Sequence, residues 1–140
     1  MRSLATDLRI AIGSMTEHEL LERTKQFALR IFKLVGALPQ TIQGKAIAAQ
    51  LIRSGTSVAA NYRAACRASS KPEFIAKLGV VEEEADESAY WLELIIETGL
   101  LNQRKVTPLL AEAGEIVAMM ASSKKSAAKS QIANRKSAMS

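Results

Sequence analysis

Residues 16–39 read TEHELLERTKQFALRIFKLVGALP. Thr16 with Glu19 three residues later is a capping box. The hydroxyl takes the N–H of the third helical residue, and the carboxylate reaches back to the N–H of the cap. Met15 and Leu20 stand where a hydrophobic staple would close around it. Leu20, Thr24, Phe27, Ile31, Leu34 and Leu38 then follow at steps of four and three, which places all six on one face of an α-helix. Leu21, Ala28 and Val35 widen that face. Pro39 disfavours helical geometry just before it, so the helix should end near residues 36–38. This segment reads as a core-facing helix with both ends defined.

Three more helices follow by the same logic. The second spans about Thr41 to Ala68, with Ile47, Leu51, Ser54, Val58, either Asn61 or Tyr62, and Ala65 facing inward. Beside that stripe runs a polar row, Gln50, Ser54, Ser57 and Asn61. It reads either as hydrogen bonding to Ser88 and neighbouring backbone, or as the lining of a groove or channel made by assembly. Ala46, Ala49, Gly55, Ala59 and Ala64 leave room for a neighbouring backbone to come close. Gly55 costs up to about 1 kcal/mol in a helix interior, which a packing role would offset. The third helix starts at a second capping box, Ser70 to Glu73, with Pro72 in its first turn. Phe74, Leu78, Val81, Ala85, Ser88, Leu92 and Ile95 form its stripe, and Gly99 is its stop. The fourth starts near Asn102 or Thr107 and carries Val106, Leu109, Leu110, Ala113, Ile116, Val117 and Met120. Short connections make neighbours antiparallel. The prediction is an all-α fold, an antiparallel up-down-up-down four-helix bundle over residues 15–123. Residues 1–14 are expected to be an N-terminal extension, disordered or a start-site artefact. Residues 124–140, KKSAAKSQIANRKSAMS, lose the large apolar stripe and are expected to form a disordered basic tail.

The totals agree with one small helical domain. The 140 residues are 48% hydrophobic but only 4% aromatic, so the core must be aliphatic and alanine-rich. A single cysteine, Cys66, excludes an intrachain disulfide and fits a reducing cytoplasm. No apolar run approaches the roughly 18–20 residues of a membrane span, so no membrane is expected as partner. The net charge is +5, and the tail from Lys124 onward carries five bases and no acid. The body is therefore neutral, yet its signs segregate. Nine bases and no acid lie between Arg23 and Lys71, and seven acids and no base between Glu82 and Glu97. Such surfaces attract one another within a bundle or between subunits, and the positive one attracts phosphates.

Catalytic constellations are lacking. Glu83 with Glu87, or Glu82 with Asp86, sit one turn apart, but a di-iron bundle needs Glu-x-x-His on two helices and the only histidine is His18. The acids read as a solvated face. Cys66 could come near His18 in an antiparallel pair, though no third residue orients such a base, and a packing thiol is the better reading. The seven glycines are scattered singly, so no phosphate-cradling loop exists. No enzyme, metal or cofactor is expected. What remains are surfaces. Arg53, Arg63, Arg67, Lys71, Lys124 and Lys125 are candidate nucleic-acid contacts, and Tyr62, Tyr90 and Trp91 are candidate subunit contacts.

The segment LIRSGTSVAANYRAACRASSKPEFIAKLGVVEEEADESAYWLELIIETGLL resembles the bacterial four helix bundle protein family, the ribosomal-RNA intervening-sequence proteins. FALRIFKLVGALP is similar to the family's first helix, and the likeness covers about residues 15–123. Ser57 and Asn61 match a Ser-x-x-x-Asn element. Where the family continues Ile-Ala-Glu-Gly, this chain has Tyr62, Arg63, Ala64 and Ala65, so a role tied to that acid does not carry over. The resemblance implies an up-and-down bundle, a ring-like homopentamer in several relatives, and no established enzymatic activity. A more distant similarity is to accessory proteins of diversity-generating retroelements, basic bundles that bind nucleic acid and a reverse transcriptase. The expectation is a non-catalytic, self-assembling scaffold or interaction module, with itself and another protein as partners. The alternative is weak, non-specific binding of RNA or DNA.

Overall fold

The computed structural model describes residues 15–139. They form four helices: α1 (Glu17–Val35), α2 (Ile42–Cys66), α3 (Lys71–Thr98) and α4 (Gln103–Met139), with no strand among the described residues. Each helix packs on the next and α4 returns to α1, closing an antiparallel bundle. The expectation for residues 1–14 lies outside the described residues.

Local chemistry sets each boundary. Thr16 Oγ1 accepts from the Glu19 N–H at 3.0 Å while Glu19 Oε2 accepts from the Thr16 N–H at 3.1 Å. Thr41 caps α2 by accepting from the Gly44 N–H at 3.1 Å. Ser70 caps α3, but the Glu73 carboxylate accepts from the N–H and hydroxyl of Ser69, one residue earlier than a capping box requires. Those two donors hold Glu73 below the usual carboxylate range. Gly99 at φ 71° ends α3 in the left-handed conformation that glycine tolerates. Asn102 Oδ1 accepts from the Arg104 N–H at 2.9 Å and starts α4.

The inward stripes are buried as their spacing predicts, and at the ambiguous position Tyr62 is inside, at 0% exposure. Phe27, Ile31, Leu51, Phe74, Leu78, Leu92, Ile116 and Met120 fill the centre of the core. Gly55 lies close under α1: a Cβ there would lie 2.8 Å from Ile31 Cγ1, inside van der Waals contact.

The last helix departs from expectation. Residues 124–139, expected as a disordered tail, continue α4 without a break. The buried stripe does not stop at Met120 but continues through Ser123 and Ala127, each 1% exposed. Their side chains are too small to register as hydrophobic periodicity, yet they seat the helix against α3. Lys124 Nζ pairs with Glu82 at 2.5 Å, and Lys71 Nζ donates to Ser130 Oγ at 3.0 Å. Alanine and lysine also rank high in helix propensity, so the backbone continues at little cost. No helix of the described residues is long and apolar enough to cross a membrane.

Candidate functional site

The polar row of α2 does not form one lining. Gln50 is exposed, Ser54 is buried, and Ser57 and Asn61 are half-buried. The Ser88 hydroxyl donates across the α2–α3 contact to Ser54 Oγ at 2.8 Å. Asn61 Nδ2 turns back on its own helix, to the Ser57 carbonyl at 2.9 Å and Ser57 Oγ at 2.8 Å. A hydroxyl pair in the interior satisfies groups that would otherwise be costly to bury.

The segregated charges find much of their complement inside the chain. Arg53 on α2 meets Glu84 at 3.0 Å and also Glu87, both on α3. Arg23 on α1 engages Glu112 with a planar fork, through Nε and Nη2 each at 2.7 Å, and also meets Glu115. The hydrogen bonds from Arg23 hold the Glu112 carboxyl below its ordinary range. Of the candidate nucleic-acid contacts, Arg53, Lys71 and Lys124 therefore have partners on neighbouring helices. Arg63, Arg67 and Lys125 are exposed.

The aromatic candidates also divide. Tyr62, expected at a subunit contact, lies within its own bundle core and cannot reach another chain. Its hydroxyl is buried, and burial raises its pKa. Tyr90 is 52% exposed and stands edge-on to half-buried Trp91, with ring centroids 5.1 Å apart.

Cys66 sits in the last turn of α2, near Tyr62 and Glu17. Burial pushes its thiol up to about 12, so it stays protonated at neutral pH and is a poor nucleophile. His18 does not serve it. That side chain is exposed and lines an open groove of 490 Å³ between α1 and α2 with Glu22, Lys25, Thr56 and Arg63. At the opposite end of the bundle, Arg30, Lys33 and Lys105 line a second open cleft of 440 Å³. Arg30 and Lys33 are visibly one turn apart in the sequence, but only the return of α4 onto α1 adds Lys105. Among the described residues, no three of His, Cys, Asp and Glu gather where a metal could bind.

Residues 16–122 match the model of a family described as 23S rRNA-intervening sequence protein. The chain belongs to that family. It is also similar to a protein of unknown function from the S23 ribosomal protein family of Bacteroides thetaiotaomicron, at 33% identity and a TM-score of 0.70. That likeness covers 79% of this chain and 99% of the other. No curated protein matches. The intervening-sequence match takes in the core from Leu20 through Met120 and ends at residue 122, so Ser123, Lys124, Lys125, Ala127 and the rest of α4 lie beyond the matched residues.

Proposed function

We propose that this chain is a non-catalytic, self-assembling bundle that acts as an oligomeric scaffold or interaction module, with five copies as the expected order. The observation that carries the reading is outward-facing apolar surface on a chain whose core is already closed. Leu29 and Phe32, one turn apart on α1, are 50% and 52% exposed, and Tyr90 on α3 is 52% exposed. Half-exposed groups of this size, beside aromatic residues, are what interfaces bury. Exposed ion pairs add only ~0–1 kcal/mol each, so apolar contact supplies most of the affinity. Light scattering tests it: the expected mass is a multiple of the 15.1 kDa chain, and a strict monomer at micromolar concentration overturns it.

A second reading has its own support in the exposed bases Arg63, Arg67, Lys125, Lys129, Arg135 and Lys136. These would attach weakly to RNA or DNA without regard to sequence. Removing residues 124–140 would then flatten the salt dependence, since each phosphate contact contributes roughly −0.7 to −0.9 to the log–log slope. A chain that gives no gel shift at low salt has no such role.

A further inference from the structure

Two exposed stripes of this chain fit each other. On α4, Lys125, Lys129, Ile132, Lys136 and Met139 follow at steps of four, three, four and three. On α3, Glu83, Asp86, Tyr90, Glu93 and Glu97 follow at three, four, three and four. Each set falls on one face of its helix. All ten residues are exposed, and none of the charged ones makes an ion pair with another described residue. Each stripe lies opposite its helix's buried residues, Ser123 and Ala127 on α4 and Ala85, Ser88 and Leu92 on α3. Both therefore face away from the bundle and cannot meet within one chain. Inside the chain α3 and α4 contact each other in a different register, with Lys124 on Glu82 and Lys71 on Ser130.

We propose that the α4 stripe docks antiparallel on the α3 stripe of a second copy, placing Lys125 opposite Glu97, Lys129 opposite Glu93, Ile132 opposite Tyr90 and Lys136 opposite Asp86. Met139 then lies along Glu83. This rests on the self-assembly reading and gives it specific faces. Reversing one stripe superimposes every basic position on an acidic one and the central apolar position on the other. Ile132, 51% exposed, divides the lysines, and Tyr90, 52% exposed, divides the acids. A phosphate backbone would satisfy the lysines but leave Ile132 without an apolar partner; the α3 stripe satisfies both. The contact is heterologous, since each copy offers its α4 to one neighbour and its α3 to another. Because the lysines lie beyond residue 122, the surface belongs to this chain's extension of α4 and not to the shared family core.

Cross-linking reads the register directly. In a Cys66→Ala background, chains carrying Ile132→Cys are mixed with chains carrying Tyr90→Cys and mildly oxidised. A disulfide-linked dimer is expected on a non-reducing gel. Glu97→Cys in place of Tyr90→Cys, about 10 Å along the helix, should link at least tenfold less, because Cα atoms more than about 7 Å apart cannot be bridged. Separately, Lys125→Glu, Lys129→Glu and Lys136→Glu together should weaken association at least tenfold by light scattering. Mixing with Asp86→Lys, Glu93→Lys, Glu97→Lys chains should restore it, and added salt should weaken the wild-type contact. Equal linking at both positions, or an unchanged assembly after lysine reversal, overturns this docking while leaving self-assembly standing. A wild-type chain that is monomeric throughout overturns both. Lysine reversal that abolishes an RNA gel shift without changing the mass assigns the stripe to polyanions and also overturns the docking.

Discussion

Residues 103–120 and 121–139 are one helix by their backbone and two by what they bury. The first part inserts Val106, Leu109, Ala113, Ile116 and Met120 into the core and receives the Arg23 fork from α1. The second buries only Ser123 and Ala127, holds α3 through Lys124 and Ser130, and is exposed throughout from residue 132 onward. Apolar burial is worth roughly 25 cal/mol per Å², and the two small side chains offer little of it. The lesson is that one continuous helix can be anchored at one end by packing and carried onward by propensity and a few polar contacts. The second part is then free to serve as a surface.

The largest test of this contrast is in the first part. Ile116 is fully buried, and Ile116→Ala should cost about 2–5 kcal/mol through lost burial and the cavity left behind. A urea midpoint that falls in proportion is the expected result. An unchanged midpoint would mean that residues 103–120 do not anchor the helix.

Glu112→Gln comes next, at about 1–3 kcal/mol, because the part-buried Arg23 guanidinium would lose its forked carboxylate. Its pH dependence has a definite direction. The folded carboxyl is held below its ordinary value, so the pair's contribution is complete above about pH 4.3 and disappears as pH falls from there through the depressed folded value. Between pH 7 and pH 3 the wild-type urea midpoint should fall more than that of Glu112→Gln. Parallel falls would show that the pair is not coupled to folding.

Much of this architecture was legible in the sequence. Thr16 with Glu19, Thr41, Ser70 and Gly99 mark helix ends by chemistry that depends only on neighbours in the chain, and steps of three and four in large apolar residues identify buried faces. What was not legible depended on partners far away. Asn61 and Tyr62 both border the stripe of α2, and only packing selects Tyr62. Arg53 reads as part of a basic patch until Glu84, 31 residues on, is brought beside it. The helix beyond residue 123 was missed because serine and alanine carry its buried face. The matching steps on α3 and α4 were present in the sequence too, but they gain meaning only once both stripes are known to face outward.

Ala127→Gly should sharpen the contrast from the other side. Glycine in a helix interior costs about 1 kcal/mol, and here the cost falls on a segment with little packing to resist it. Helical signal from the last dozen or so residues should drop, while the urea midpoint of the core moves only slightly. A midpoint shift as large as that of Ile116→Ala would mean the two parts unfold as one.

The smallest effect expected is that of Lys124→Ala. Lys124 pairs with Glu82 with both side chains partly exposed, at 35% and 25%, and its stem passes over Gly79, where an added Cβ would lie 3.7 Å from Lys124 Cδ. A pair of this kind contributes about 0–1 kcal/mol, so global stability should barely change. Local opening is more sensitive than global unfolding, because exchange of terminal helical amides depends on the few contacts that hold that segment alone. Amide hydrogen exchange should therefore accelerate for residues 125–139 and stay constant for residues 106–120. Added salt should produce the same pattern in the wild-type chain by screening the pair, and should have little further effect on the variant. If Lys124→Ala speeds exchange equally along the whole of α4, the helix opens as one cooperative unit and the contrast between its two parts is wrong.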